Sequence, residues 1–136
     1  MRAAGDAVMT QARRNAERRG RRSEALSALW LKLKGWRILD QRARTGVGEL
    51  DLVARRGLVL AFIEVKHRVS LDDALTAVTP YQKRRLIRAA ALWRSRHDAL
   101  AALQPRFDVI AWPEHGWPRH IKGAFMIETE DLVGLI

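Results

Sequence analysis

Apolar residues recur at helical spacing between residues 13 and 34, and this pattern predicts the first long helix. The helix is predicted to end at Gly35, because glycine frequently terminates helices. Residues 1–12 show no such period and are predicted to be a disordered N-terminal segment, which leaves residues 13–136 as a single domain. The residues predicted to face the core from this helix are Ala25, Leu26, Leu29, Trp30 and Leu33.

Three strand patterns follow the first helix. Residues 36–44 alternate roughly between apolar and polar positions, and residues 49–53 do so with a regular period of two. Residues 58–66 form a more apolar run, which is typical of a central strand. A loop at residues 45–48 and a turn at residues 54–57 separate these strands.

A second long helix and two further strands are predicted downstream. Thr79 and Pro80 match an N-cap followed by proline at the first helical position, and the helical period continues to about residue 96. Strands are predicted at residues 106–112 and 121–127, with a short tail after them. The order α-β-β-β-α-β-β predicts an α/β fold in which helices flank a mixed central sheet. The residues predicted to face the core from the second helix are Leu86, Ala89, Ala90 and Trp93.

The amino-acid composition excludes several classes of protein and of active site. The chain has no cysteine, which excludes disulfides, thiolate metal ligands and cysteine nucleophiles. Residues 1–22 lack the apolar segment of a signal peptide, and no run approaches the ~20 apolar residues that span a membrane. We therefore expect a cytoplasmic protein with no membrane partner.

The net charge of +10 predicts an anionic partner, and nucleic acid is the first candidate. Residues 1–44 hold 12 of the 25 Lys and Arg residues but 4 of the 15 Asp and Glu residues. The basic run from Arg13 to Arg22 has two interpretations, an arm that adds sequence-independent affinity for phosphates or charge without a specific role. Most acidic residues lie in the rest of the chain, where an enzyme that holds a metal requires carboxylates.

Four charged residues are predicted to share one face of the hairpin formed by the second and third strands. Side chains alternate along a strand, so Glu49 shares a face with Asp51, and Glu64 shares a face with Lys66. Directly paired residues of neighbouring strands point the same way. All four side chains are therefore expected to project from one side of the sheet.

The register of this hairpin is predicted from its turn. A two-residue turn at residues 56–57 pairs Glu49 with Glu64 and Asp51 with Phe62. Asp51 and Glu64 are then diagonal neighbours, roughly 5–8 Å apart.

Carboxylates held this close repel one another unless a cation lies among them. Lys66 supplies one positive charge, and a divalent metal ion would supply the remainder. Mg²⁺ binds oxygen ligands, commonly one or two carboxylates together with water and substrate phosphate. The predicted ligands of Mg²⁺ or Mn²⁺ are Asp51, Glu64 and the carbonyl oxygen of Val65. The alternative interpretation is a cluster of surface salt bridges.

Four segments carry a resemblance to a known family. Asp51 together with Glu64-Val65-Lys66 resembles the D…ExK signature of the PD-(D/E)xK nuclease superfamily. More closely, the chain resembles the YraN family of small bacterial proteins, which is endonuclease-like and related to archaeal Holliday-junction resolvases. The segments that carry this resemblance are Gly48-Glu-Leu-Asp-Leu52, Phe62-Ile-Glu-Val-Lys-His-Arg68, Ala77-Val-Thr-Pro-Tyr-Gln-Lys83 and Arg106-Phe-Asp-Val109.

The resemblance implies a restriction-endonuclease-like αβββαβ core with Asp51, Glu64 and Lys66 as the catalytic residues. It also implies that Glu24, on the first helix, reaches the metal as an outer carboxylate. The alternative for Glu24 is a solvated helix residue.

The resemblance further implies that Gln82 and Lys83, at the start of the second long helix, lie near the scissile phosphate. The chain departs from the family at Ser23, where glycine is usual, and at Arg42, where asparagine is common. Both departures concern substrate details rather than metal ligands.

The remaining polar residues carry weaker predictions. Glu49 is a metal ligand, a supporting group, or a partner of Arg44 or Arg68. Trp112 and Trp117 flank a proline-rich loop, and packing is favoured over stacking on bases. The Lys83-Arg84-Arg85-Arg88 run is a phosphate-binding surface or a plain solvated helix face. Nucleic-acid contacts are predicted for Lys83, Arg84, Arg88, Arg44 and Arg68, and Asp108 is predicted to pair with an arginine.

The predicted function is hydrolysis of phosphodiester bonds in DNA by a Mg²⁺- or Mn²⁺-dependent endonuclease, with branched or repair intermediates among the candidate substrates. One alternative is a non-catalytic nucleic-acid-binding module that retains the nuclease fold. Another is a protein that interacts with RNA or ribosomes through its basic arm. An enzyme that cuts junctions needs two active sites, so a homodimer is expected if the substrate is a four-way junction.

Overall fold

The computed structural model describes residues 2–67 and 71–126, and their elements follow the predicted order with one added short helix. The helices and strands, in chain order, are α1 (Arg2–Leu33), β1 (Arg37–Arg44), β2 (Glu49–Arg56), β3 (Val59–His67), α2 (Leu71–Thr76), α3 (Pro80–Ser95), a 3₁₀ turn (Asp98–Leu100), β4 (Gln104–Trp112) and β5 (Arg119–Phe125). The predicted tail and Arg68 lie outside the described residues.

The five strands form one mixed sheet in the order β1-β2-β3-β4-β5. Pairing is antiparallel except between β3 and β4, which run parallel because the chain crosses back through α2 and α3 between them. β3 is therefore central, as its apolar sequence predicts. The predicted fold class is confirmed: helices flank a mixed sheet, in an arrangement consistent with an αβββαβ core.

Each face of the sheet is covered by a separate apolar core. One core packs α3 against the sheet through Val53, Phe62, Ile87 and Trp93. The other core packs residues of α1 against the opposite face, with Ile110 at its centre. The strands of the sheet are therefore held between α1 on one face and α3 on the other.

The start and the buried side of α3 follow the prediction. The Thr79 side chain accepts a hydrogen bond from the Gln82 N–H, and the Gln82 side chain accepts one from the Thr79 N–H, which is a complete capping box. Pro80 occupies the first helical turn. Ala89, Ala90 and Trp93 are buried as predicted, whereas Leu86 is only partly buried.

The predicted core face of α1 is wrong. Leu26, Leu29 and Leu33 are 41%, 55% and 79% exposed, and Ala25 is exposed as well, whereas Trp30 is half-buried. The residues of α1 that pack on the sheet are Ser23, Ser27, Ala28 and Leu31.

The face of α1 that packs on the sheet carries small residues beside Leu31. Ser27 is fully buried, its hydroxyl donates to the Ser23 carbonyl, and it accepts a hydrogen bond from Trp112 Nε1 at 2.7 Å. The buried hydroxyl is therefore satisfied within the protein. Hydrophobic periodicity favoured the face with Leu26, Leu29 and Leu33 as the core face, whereas the face with Ser23 and Ser27 is the one that packs on the sheet.

α1 begins at Arg2 rather than near Arg13, where the apolar period starts. Residues 10–19 are helical but exposed on all sides, so no apolar stripe marks them. Hydrophobic periodicity reports burial rather than helicity, and the alanine- and arginine-rich segment has high helix propensity. The division of domains at residue 12 stays a prediction.

A buried ionic network joins β4 to β5. Asp108 is fully buried and accepts hydrogen bonds from Arg106 Nε and Nη2 at 2.8 and 2.9 Å, from His120 Nε2 at 2.7 Å and from the Gly123 N–H at 2.9 Å. Burial raises the pKa of Asp108, but these hydrogen bonds outweigh it and hold the pKa below its usual value. The predicted arginine partner of Asp108 is confirmed.

Within residues 2–67 and 71–126, no helix combines the length and the apolar character that a membrane crossing requires.

Candidate functional site

The register of the β2–β3 hairpin differs from the prediction by two residues. Val53 pairs with Phe62 and Leu52 with Ile63, and this register brings Asp51 opposite Glu64. The difference arises because β2 continues to Arg56 and the chain turns at residues 57–58, with φ 59° at Gly57. A shift of two leaves every side chain on its predicted face, so it converts diagonal neighbours into direct ones.

Asp51 and Glu64 are in contact, and Lys66 completes the group. The two carboxyl groups lie close enough for each to shift the pKa of the other. Asp51 Oδ2 also accepts the Val65 N–H at 2.9 Å, which fixes its orientation. Lys66 Nζ lies 3.3 Å from Glu64 Oε1. The structure thus brings together the three residues that the sequence predicts as catalytic.

Burial is the main cause of the shifted pKa values of this pair. Burial raises the pKa of Glu64 to about 8, with the neighbouring Asp51 carboxylate contributing in the same direction and Lys66 opposing. Burial also raises the pKa of Asp51, although the Val65 N–H opposes this. Both carboxyl groups therefore hold protons more tightly than they do in water.

Glu24 extends the acidic centre from α1. Its pKa is raised to about 7 by burial and then by the Asp51 carboxylate, while Arg42 lowers it. Arg42 Nε lies 2.9 Å from Glu24 Oε2, close enough for an ion pair, but Oε2 is buried without a hydrogen bond of good geometry. The interpretation of Glu24 as a solvated helix residue is therefore wrong.

Glu49 lies at the rim of this centre. Its side chain is 43% exposed and its Oε1 lies 3.8 Å from Arg42 Nε. Glu49 thus has an arginine partner, as one of its three predicted interpretations required, but the partner is Arg42 rather than Arg44.

Arg42 is a site residue that the sequence analysis missed. Its φ of 51° lies in the left-handed region, which is strained for a side chain of this kind and favourable for asparagine or glycine. The strained backbone lies beside two glutamates of the centre, Glu24 and Glu49. The signal in the sequence was the departure from asparagine at this position, which is a conformational requirement as well as a chemical one.

A cleft of about 230 Å³ opens beside the carboxylates and is walled by the start of α3. Gln82 lines this cleft, as the resemblance implies, and so does Arg85. Lys83 does not line it, because its Nζ lies 5.8 Å from the Phe125 ring centroid. The residues that line the cleft are Gly48, Glu49, Asp51, Glu64, Gln82, Arg85 and Leu86.

Arg85 also belongs to this cleft, although the sequence analysis had assigned it only to the basic run of the second long helix. Its Nε donates to the Val47 carbonyl at 3.0 Å, and its side chain lies 3.2 Å from where a β-carbon on Gly48 would stand. Glycine at position 48 therefore lets α3 close against the β1–β2 loop. The signal was the spacing of three residues between Gln82 and Arg85, which places both on one side of a helix.

The other predicted nucleic-acid contacts lie outside the cleft. Arg84 and Arg88 are exposed on α3, and Arg44 is exposed on β1. None of these three lines the cleft. Their roles stay predictions.

The carboxylate oxygens at this cleft suit a hard divalent cation, although they do not form a complete coordination shell. In the described part of the chain, no three His, Asp or Glu side chains are arranged to hold a metal ion. The carboxyl groups of Asp51, Glu64 and Glu24 are oxygen donors, the class that Mg²⁺ prefers, and Glu24 Oε2 also lies 2.9 Å from Arg42 Nε. A site with two protein carboxylates completed by water and substrate fits these residues, and the Val65 carbonyl as a ligand stays a prediction.

The raised pKa values predict an unusual pH dependence of stability for the metal-free protein. A folded Glu64 with a pKa of about 8 binds more protons than the unfolded residue, whose pKa is 4.5, so stability falls as pH rises through this window. We expect the free energy of unfolding in EDTA to decrease by roughly 3 kcal/mol between pH 5 and pH 8. Urea titrations at several pH values measure it.

The matched variants for this experiment are Glu64→Gln and Glu114→Gln, the second on an exposed loop residue. The decrease should shrink in Glu64→Gln and persist in Glu114→Gln. Equal slopes in wild type and Glu64→Gln would show that the Glu64 carboxyl does not hold its proton more tightly in the fold.

Comparison with known proteins places the chain in a family. The sequence profile described as "Uncharacterised protein family UPF0102" matches residues 23–112. A UPF0102 protein of Maricaulis maris is 48% identical over 118 residues, which cover 87% of this chain and 93% of that protein.

Two further relatives show the same extent of similarity. A UPF0102 protein of Paramagnetospirillum magneticum is 45% identical over 123 residues, which cover 88% of this chain and 95% of that protein. One from Caulobacter vibrioides is 47% identical over 120 residues, which cover 88% and 96%. The resemblance to the YraN family is thereby confirmed, since UPF0102 is the same family. The chain belongs to the UPF0102 family.

Proposed function

We propose that this protein is a metal-dependent endonuclease that hydrolyses phosphodiester bonds in nucleic acid. The observation that supports this most strongly is the contact of Asp51 with Glu64, beside Lys66, at a cleft walled by α3. A half-buried pair of carboxyls with raised pKa values is destabilising in a purely structural role, and such pairs are concentrated in functional sites. Membership of the PD-(D/E)xK superfamily is part of this proposal.

Asp51 and Glu64 would hold Mg²⁺ or Mn²⁺, with Glu24 as an outer carboxylate. Bound there, the ion supplies Lewis-acid activation of water and neutralises charge that develops on the phosphate. Asp51 Oδ2 accepts the Val65 N–H at 2.9 Å, so Asp51 would offer its other carboxylate oxygen to a cation. We assign no covalent nucleophile to this chain, because hydrolysis by an activated water needs none.

Lys66 and the first turns of α3 would bind and orient the phosphate of the substrate. Lys66 Nζ lies 3.3 Å from Glu64 Oε1, and its ammonium group would orient the attacking water or donate a hydrogen bond to a phosphate oxygen. Gln82 lines the cleft in the first turn of α3, where backbone N–H groups favour anions. Arg85 adds a positive charge on the same wall.

A second candidate is a nucleic-acid-binding module without turnover. The observation that favours it is the exposed basic half of α1, where the arginines of the Arg13–Arg22 run are solvated on all sides. Such a surface binds phosphates whether or not the carboxylates cleave. DNA or RNA as the substrate, the cytoplasmic location and the homodimer all stay predictions.

The experiment is cleavage of end-labelled duplex, single-stranded and four-way-junction DNA, and of matched RNA, with Mg²⁺, Mn²⁺ or EDTA. We expect cleavage of at least one DNA substrate with metal and none with EDTA. Lys66→Ala protein purified in parallel controls for a contaminating nuclease, because a contaminant would cut equally well in both preparations. Binding without cleavage of any substrate by wild type would support the binding module and overturn the endonuclease.

A further inference from the structure

A second concave site lies away from the carboxylates, between the C-terminal end of α1 and β5. It encloses about 570 Å³ and shares no lining residue with the carboxylate cleft. Two tryptophans and four cations contribute to its lining, and no Asp or Glu does. These residues are Trp30, Trp36, Lys34, Arg56, Arg119 and Lys122.

The four cations are held without acidic partners. In the part of the chain that the structure describes, none of them forms an ion pair, whereas Arg42, Lys66 and Arg106 do. Cations that come from the turn after α1, from β2 and from β5 repel one another when they line one depression. The favourable occupant of such a depression is an anion.

The aromatic walls of this site are held rigidly. Lys34 Nζ lies 3.7 Å from the Trp30 ring centroid, and the Arg106 guanidinium lies 5.6 Å from that of Trp36. The His120 ring packs against both indoles, with centroid separations of 6.4 and 5.7 Å. His120 is itself fixed by Asp108, so the walls are set before a ligand arrives.

An exposed indole stands beside the depression. Trp117 is 83% exposed, and it precedes Pro118, which lines the site. The prediction that Trp117 packs in the protein is therefore wrong, while Trp112 does pack and bonds to Ser27. Trp117 lines a neighbouring apolar depression that shares Trp30 and Pro118 with the cationic one. An exposed indole and cations on adjoining surfaces suit a nucleotide, because the ring can stack on a base while the cations hold a phosphate.

We propose that this site binds single-stranded nucleic acid, with a phosphate among Lys34, Arg119 and Lys122 and a base stacked on Trp117. The proposal deepens the proposed function, because it rests on nucleic acid as the substrate class. A single strand is favoured over duplex because a base can stack on Trp117 only when it is unstacked from its neighbours. The site would hold a flap, an end or an unpaired segment away from the carboxylates.

The test is anisotropy of a fluorescein-labelled 12-nucleotide thymidine strand, titrated with full-length protein in EDTA, so that cleavage plays no part. The triple variant Lys34→Ala/Arg119→Ala/Lys122→Ala should bind at least about tenfold more weakly. The slope of log K against log salt should fall by about 0.7, which is the contribution of one phosphate contact to a single strand.

A matched triple variant separates this site from total charge. Lys32→Ala/Arg37→Ala/Arg96→Ala removes the same charge from exposed residues that do not line the depression. It should retain affinity within about threefold of wild type. Equal losses in the two triple variants would overturn the site. Circular dichroism and thermal melting of both proteins establish that each is folded.

The stacking partner is tested separately. Trp117→Ala should weaken binding of the strand by at least about fivefold, and Trp117→Phe should restore most of the affinity. Competition with a 12-base-pair duplex, a nucleoside monophosphate or inorganic phosphate distinguishes the source of the phosphate. A duplex that binds as tightly as the strand, or a monophosphate that competes equally per phosphate, would overturn the single-strand assignment.

These outcomes are independent of catalysis. If wild type never cleaves but the first triple variant loses affinity, the single-strand site is supported and the endonuclease proposal is overturned. If wild type cleaves and both triple variants bind alike, the endonuclease proposal is supported and the single-strand site is overturned.

Discussion

Asp51→Asn should abolish metal-dependent cleavage and, at the same time, stabilise the metal-free protein. The substitution removes a carboxylate oxygen that would bind the cation, and the loss of about 4 kcal/mol of transition-state stabilisation corresponds to a rate roughly 10³-fold lower. It also removes the charge that helps to raise the pKa of Glu64. In EDTA at pH 8 the free energy of unfolding should increase by about 1–2 kcal/mol.

The two halves of this prediction need two measurements on one protein. Single-turnover cleavage gives the rate, and urea unfolding in EDTA gives the stability. Asp98→Asn, on an exposed residue of the 3₁₀ turn, is the matched control and should change neither quantity. An Asp51→Asn protein that keeps its activity excludes Asp51 as a ligand. One that is less stable than wild type shows that the pair contributes to the fold rather than opposing it.

Asp108→Ala is expected to have the largest effect on stability. Removing a fully buried carboxylate leaves His120 and Arg106 without their partner, and breaking such a pair costs about 3–5 kcal/mol. The Arg106 side chain is 28% exposed and can regain water, so we expect about 3 kcal/mol and a Tm lower by roughly 10 °C. Thermal melting followed by circular dichroism measures this.

The pH dependence identifies the cause of that loss. The lowered pKa of Asp108 contributes stability above its unfolded pKa of 3.8, and this contribution is lost as pH falls through the folded value. The difference between wild type and Asp108→Asn should therefore shrink in acid. Asp98→Asn again provides the exposed control. A difference that stays constant between pH 7 and pH 3 would assign the effect to lost packing instead of the charged network.

The carboxylate pair could be predicted from sequence because strand alternation tolerates an error of register. The turn was misplaced by one residue, which shifts the pairing register by two, yet Asp51, Glu64 and Lys66 remained on one face because the period of a strand is also two. Their contact could not be predicted, since it depends on where the turn begins. Gly57 stands at the first turn position, and a glycine alone does not specify which of two positions it takes.

The packed face of α1 could not be predicted from hydrophobicity. Leu29 and Leu33 look like core residues, but the helix approaches the sheet through Ser27 and Ala28. Whether a leucine stripe or a small-residue stripe faces the core depends on the distance between helix and sheet, which is a tertiary quantity. The same limit applies to Arg42, whose role follows from a positive φ that sequence patterns do not report.

The mixed pairing of the sheet has a consequence for the order of folding. Asp51 and Glu64 belong to a hairpin whose strands are joined by a two-residue turn, whereas β3 and β4 join residues such as Val59 and Gln104 across a long crossover. Contacts of low sequence separation form with less loss of chain entropy, so the hairpin is expected to form before the crossover closes. Asp51 and Glu64 are then brought together early in folding, while water still solvates both carboxylates and screens their repulsion. The two carboxylates lose this water only when α3 packs against the sheet.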